Sequence, residues 1–172
     1  DKAAIRCPEA HFAVQDMCGF CVSEPVDLIT CFLYSLHYSA TVERLAACIA
    51  RVHRALQPGG LFCFNAVDRT RIDNRLFAAH TVDSDDGRFT FSSGWHYSGA
   101  GERQSLRLRI EKTAGDEALI WNDEHPMVAV SFAELEALLQ PHFEVHVLAH
   151  DYQRILPLGD GAGNALFVCV KR

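Results

Sequence analysis

No window of this chain approaches the ~18 uninterrupted apolar residues that a membrane-spanning helix needs, so a helix that crosses a bilayer is excluded. The opening stretch, Asp1 to His11, has no apolar run and no small-residue cleavage site, and it does not read as a signal peptide. Clusters of Lys and Arg are absent and the formal charge is −6 over 172 residues. Phosphate neutralisation needs clustered cations, so no nucleic-acid partner is expected. Cys18-Gly-Phe-Cys21 is accompanied by no second Cys-x-x-Cys, and no His-x-x-x-His lies near it in the chain. A zinc site lacks its remaining ligands, a redox motif lacks its strand-to-helix setting, and the segment reads as a loop with ordinary thiols. No metal is expected. The chain also lacks a Gly-x-Gly-x-Gly ahead of its first strand-like runs. Gly159-Asp-Gly-Ala-Gly163 has that spacing, but no helix follows it, and it reads as a turn.

What is present suits a single globular domain: 49% apolar and 22% charged residues. The seven cysteines, odd in number and mostly inside apolar runs, fit reduced thiols in a cytoplasmic protein. Lys2 to Arg6 reads as a helix tail stopped by Pro8. His11 to Gln15 alternates like a strand. Val26 to Phe32 is an apolar run of strand length, as in a parallel strand covered on both faces. From Thr41 to Leu56, apolar residues Leu45, Cys48, Ile49, Val52 and Ala55 recur at helical spacing. Pro58-Gly-Gly60 reads as the helix stop, with glycine as C-cap, and Leu61 to Asn65 as the next buried strand. Strand, helix and strand with short joints make a crossover unit of a parallel sheet. Residues 88–97, 104–112 and 118–130 alternate as antiparallel strands with one wet face. Ser131-Phe-Ala-Glu134 is a capping box. Two strands close the chain, 143–149 and 165–170.

The order of these pieces resembles class I S-adenosylmethionine-dependent methyltransferases. Val26-Asp-Leu-Ile-Thr-Cys-Phe32 is similar to the family's fourth strand. Ala55-Leu-Gln-Pro-Gly-Gly-Leu-Phe-Cys-Phe64 is similar to the turn into its fifth. His11-Phe-Ala-Val-Gln-Asp-Met17 resembles the third strand with its terminal acid, and Phe143 to Lys171 the closing hairpin. The resemblance implies an α/β, Rossmann-like methyltransferase sheet, represented here by its C-terminal portion. The first two strands, with the glycine-rich loop and the ribose-binding acid, would be missing. Residues 1–172 would then be one partial domain, with 88–130 an antiparallel β insertion over the substrate side. Such a fragment alone is expected to be inactive, and the fourth strand would present a hydrophobic edge.

The family resemblance also names a cofactor and candidate residues. S-Adenosyl-L-methionine is the implied cofactor. Asp16 would accept from the adenine amino group with Met17 against the ring, and Cys31, Phe32 and Leu33 would leave the strand beside the cofactor, where open α/β sheets bind ligands. His37 or Tyr38 is placed to act as general base on a substrate amine or hydroxyl. Asn65, Asp68, Trp95, His96, Trp121 and His125 are candidates for the substrate pocket. The expected reaction is methyl transfer to nitrogen or oxygen of a small molecule. The alternatives are a non-catalytic methyltransferase-like domain that dimerises or binds a partner and, more remotely, a nicotinamide reductase fragment. A homodimer would form along an exposed or swapped strand edge.

Overall fold

A computed structural model describes residues 2–172 except 76, 116 and 152. Its elements are helices α1 (Lys2–Arg6), α2 (Val42–Ala55) and α3 (Phe132–Leu139), with strands β1 (Val26–Cys31), β2 (Leu56–Val67), β3 (Ala78–Ser84), β4 (Gly87–Tyr97), β5 (Arg103–Ala114), β6 (Glu117–Val128), β7 (Phe143–Ala149) and β8 (Asn164–Lys171). No described helix is long and apolar enough to cross a membrane.

The apolar stripe of α2 forms one side of the core. Thr41 caps the helix, accepting from Arg44 N–H, and Leu45, Cys48, Ile49, Val52 and Ala55 are buried. The stripe lies on a sheet ordered β1-β2-β8-β7. β1 and β2 are parallel, while β8 runs antiparallel to both β2 and β7. Phe62, Phe64, Phe143 and Phe167 form the middle of the core, with Phe64 stacked on Phe167 at 4.9 Å. Helix α3 seals the same face with Phe132, Leu135 and Leu139 behind its capping box.

Three local expectations change. The helix ends on Leu56 in extended geometry, and Pro58-Gly59-Gly60 is already strand. The glycines serve the strand: Gly59 has φ +75°, and a Cβ on Gly60 would sit 2.9 Å from Gln57 O. β1 is covered on one face only, leaving Leu28 and, on β2, Leu61 exposed. His11 to Gln15 is not a strand. Its residues are exposed and no described strand lies beside them to complete a ladder. Strand structure needs that cross-chain pairing, which alternation in the sequence does not supply.

The second sheet is antiparallel throughout, ordered β3-β4-β5-β6. It begins ten residues ahead of the expected boundary at 88, because β3, an edge strand exposed along its whole length, carries little alternation to announce it. Cross-strand rows put Trp95, Leu106 and His125 side by side on the face toward the first sheet. Arg107, Arg109 and Glu111 alternate to the other face.

Candidate functional site

The chain leaves β1 through a strained turn. Leu33 and Tyr34 have φ +55° and +59°, and after the short 3-10 segment Ser35–Ser39 comes Ala40 at +71°. Left-handed geometry costs a non-glycine residue roughly 1 kcal/mol. Specific bonds hold it: Tyr34 N–H donates to Asn65 Oδ1 at 3.1 Å, and Ser35 Oγ donates to Phe32 O at 2.7 Å. The turn leaves Leu33 exposed and Phe32 partly so.

Asn65, expected to meet substrate, is buried and binds the turn from below, with its amide nitrogen 3.3 Å from His150 Nε2. Asp68 is similarly occupied, accepting from Thr70 and from Phe132 N–H. His37 is also fully engaged. Val67 N–H donates to its Nε2 at 3.2 Å, and its Nδ1 lies 2.9 Å from Val128 O. A backbone donor on one nitrogen and a backbone acceptor on the other fix the neutral Nδ1–H tautomer. Burial pushes its pKa down to about 4. His37 therefore ties the turn to β2 and β6 and has no lone pair left for a substrate. This corrects its reading as a general base.

Tyr38 is partly exposed, and its hydroxyl bonds His125 Nδ1. His125 Nε2 in turn bonds Asp123 Oδ2 at 3.1 Å. Trp95 lies on the other side of the turn, edge-to-face with Tyr34 at 5.1 Å. Tyr34 and Trp95 border a cavity of about 400 Å³ between the sheets, lined also by Val67, Arg71, Leu106 and Asn164; Tyr38 and His125 are not among its lining residues. Tyr34 reaches Asn164 Oδ1 through its hydroxyl at 3.3 Å. Trp121 does not join this cavity. It stands opposite Ile110 on edge strand β6, half exposed. His96 alternates to the far face of β4.

The loop before β1 docks beside the turn. Gln15 brackets Cys21 with a bond to its N–H and another to its carbonyl. Met17 and Cys18 pack on the core, and Ser39 Oγ lies 3.7 Å from Met17 Sδ. Asp16 accepts from Arg44 at 2.6 Å and from Cys18 N–H at 2.8 Å. The Arg44 guanidinium, helped by the Cys18 amide, holds the Asp16 carboxyl below its usual range. Cys31 is mostly buried, and burial raises its thiol pKa to about 11, so it is unreactive. Cys18 and Cys21 are both free thiols. Among the described residues no group of His, Cys, Asp and Glu stands placed to hold a metal.

Tyr34, Arg71, Asn164 and His150 were not anticipated from sequence. Tyr34 had a usable signal, since it follows an apolar strand at the carboxyl edge of the sheet. The others arrive from distant elements.

No protein-family model matches the chain, and no curated protein matches it in sequence. Solved structures do match. The chain superposes over 99% of its length on 68% of CalS10, an amino pentose methyltransferase of Micromonospora echinaspora bound to S-adenosylmethionine, at 17% identity and TM-score 0.82. DesVI of Streptomyces venezuelae matches over 99% of this chain and 69% of its own, at 22% identity and TM-score 0.78. The sugar N-methyltransferase KedS8 of Streptoalloteichus matches over 92% and 61%, at 18% identity and TM-score 0.71. The fold is that of the class I S-adenosylmethionine-dependent methyltransferases.

Proposed function

We propose that the protein transfers a methyl group from S-adenosylmethionine to nitrogen or oxygen of a small molecule. The observation that carries this reading is the strained turn after β1. It presents Phe32 and Leu33 on one side and Tyr34 to a cavity on the other, at the sheet edge where this fold class binds ligands. Strain of this kind is retained where geometry matters more than local stability.

The chemistry of the donor set fits the adenine end of the cofactor. Asp16 offers an ionised, half-exposed acceptor for an exocyclic amine, and Met17, Phe32 and Leu33 supply apolar surface for a purine. The bound cofactor supplies an electrophilic methyl group on a sulfonium. This chain's own residues orient and exclude water. Tyr34 and Trp95 wall the cavity, while Arg71 and Asn164 add polar contacts at its rim. Aromatic walls with sparse polar groups suit a hydroxylated ring bearing an amine. An amino sugar, the acceptor class named for CalS10, is therefore the proposed substrate.

The test is transfer of isotope-labelled methyl from S-adenosylmethionine to an amino sugar by the full-length protein. Trp95→Ala is expected to raise KM at least about 10-fold, as loss of a buried aromatic contact of about 1.5 kcal/mol or more demands. Transfer that is undetectable in a folded protein contradicts the reading.

A further inference from the structure

Tyr38, His125 and Asp123 stand in line. Tyr38 belongs to the 3-10 segment directly after the strained turn, and His125 and Asp123 lie two positions apart on the same face of β6. Asp123 is a carboxylate and only accepts, so His125 Nε2 carries the hydrogen of their 3.1 Å bond. His125 Nδ1 is then a lone pair, and the Tyr38 hydroxyl must donate to it. Each group fixes the next. The arrangement has the connectivity of a nucleophile–histidine–carboxylate relay, with a phenol in first place. It differs from the His37 contacts, where main-chain groups occupy both ring nitrogens.

The relay adjoins the wall of the cavity through Leu106 without lining it. His125 follows Trp95 and Leu106, both cavity residues, in one cross-strand row. Tyr38 joins this row through its bond to His125. Tyr38 and His125 both retain partial solvent exposure, which gives a proton a way out.

We propose that Tyr38 is the proton acceptor for the methyl-accepting group, with His125 and Asp123 as its positioning residues; this rests on the methyl-transfer reading above. The acceptor amine or hydroxyl loses one proton for the methyl group it gains. That proton goes to the Tyr38 oxygen as the Tyr38 proton passes to His125 Nδ1. The imidazolium so formed is held by the Asp123 carboxylate and releases its proton to solvent. The proton count closes with tyrosine neutral and histidine ready again.

The charged and titratable groups around His125 are Asp123 on its own strand and Tyr38 on the 3-10 segment. On the opposite face of the sheet are Glu124 of the same strand, Arg107 of β5, which pairs with Glu124 at 3.3 Å, and His96 of β4.

Two measurements on the full-length protein test this. In nitrogen-15 NMR of labelled histidine, the His125 ring should be the Nε2–H tautomer at neutral pH. Tyr38→Phe should then move its Nδ1 resonance. In methyl-transfer kinetics, Tyr38→Phe and His125→Asn should each lower kcat about 100-fold with KM unchanged. Free imidazole should restore part of the rate of His125→Gly. A His125 ring that ignores Tyr38→Phe overturns the relay whether or not the protein transfers methyl groups. Wild-type rates in both Tyr38→Phe and His125→Asn overturn it by kinetics. Absence of transfer by the wild type itself overturns the reading beneath it.

Discussion

At the scale of residues, burial and hydrogen bonding decide what a side chain can do. His37 has its folded pKa depressed from 6.5 to about 4, because the charged form would be desolvated. The folded state therefore binds fewer protons than the unfolded chain between those values. Stability contributed by neutral His37 is complete above about pH 6.5 and is lost as pH falls toward 4. The loss amounts to about 3 kcal/mol, readable from urea midpoints across that range. His37→Ala should cost about 2–4 kcal/mol at pH 7.5, because Val67 N–H and Val128 O lose their buried partner. A midpoint that ignores pH between 6.5 and 4 contradicts the assignment. Asn65 makes the same point: a polar residue at a strand end looks like a ligand-binding group, but its amide is spent on the Tyr34 turn.

At the scale of elements, legibility followed periodicity. Helix α2 was readable because its apolar stripe has one meaning, and the box Ser131-Phe-Ala-Glu134 was readable because its bonds are local. Ser131→Ala should lower stability by about 1 kcal/mol, measured by chemical denaturation. Strands were readable where core burial enforced alternation, as in β8, whose Ala165, Phe167 and Cys169 face inward. Residues 11–15 alternate without a partner, and β3 has a partner with little alternation, so sequence misread the first and missed the second. The site was half legible for the same reason. Its position after β1 follows from the strand order, whereas the bond between Tyr38 and His125 joins residues 87 apart.

At the scale of the molecule, the two sheets leave different surfaces. β1 pairs only with β2 among the described strands, and Leu28 beside that free edge is exposed. Self-association along this edge is our proposal for a homodimer. Thr30→Pro should weaken it, read as a lower mass in light scattering at matched concentration; an unchanged mass contradicts it. The antiparallel sheet, set over the carboxyl end of β1, shapes the cavity that the methyl-transfer reading needs. That reading stands or falls on cofactor recognition at the turn. The most direct measurement is calorimetric titration of the full-length protein with S-adenosylhomocysteine, alongside Asp16→Asn. The expected result is saturable one-to-one binding, weakened about 10-fold in the variant through loss of a charge-assisted bond of about 1.5 kcal/mol. No binding by a protein that is folded by circular dichroism would contradict it.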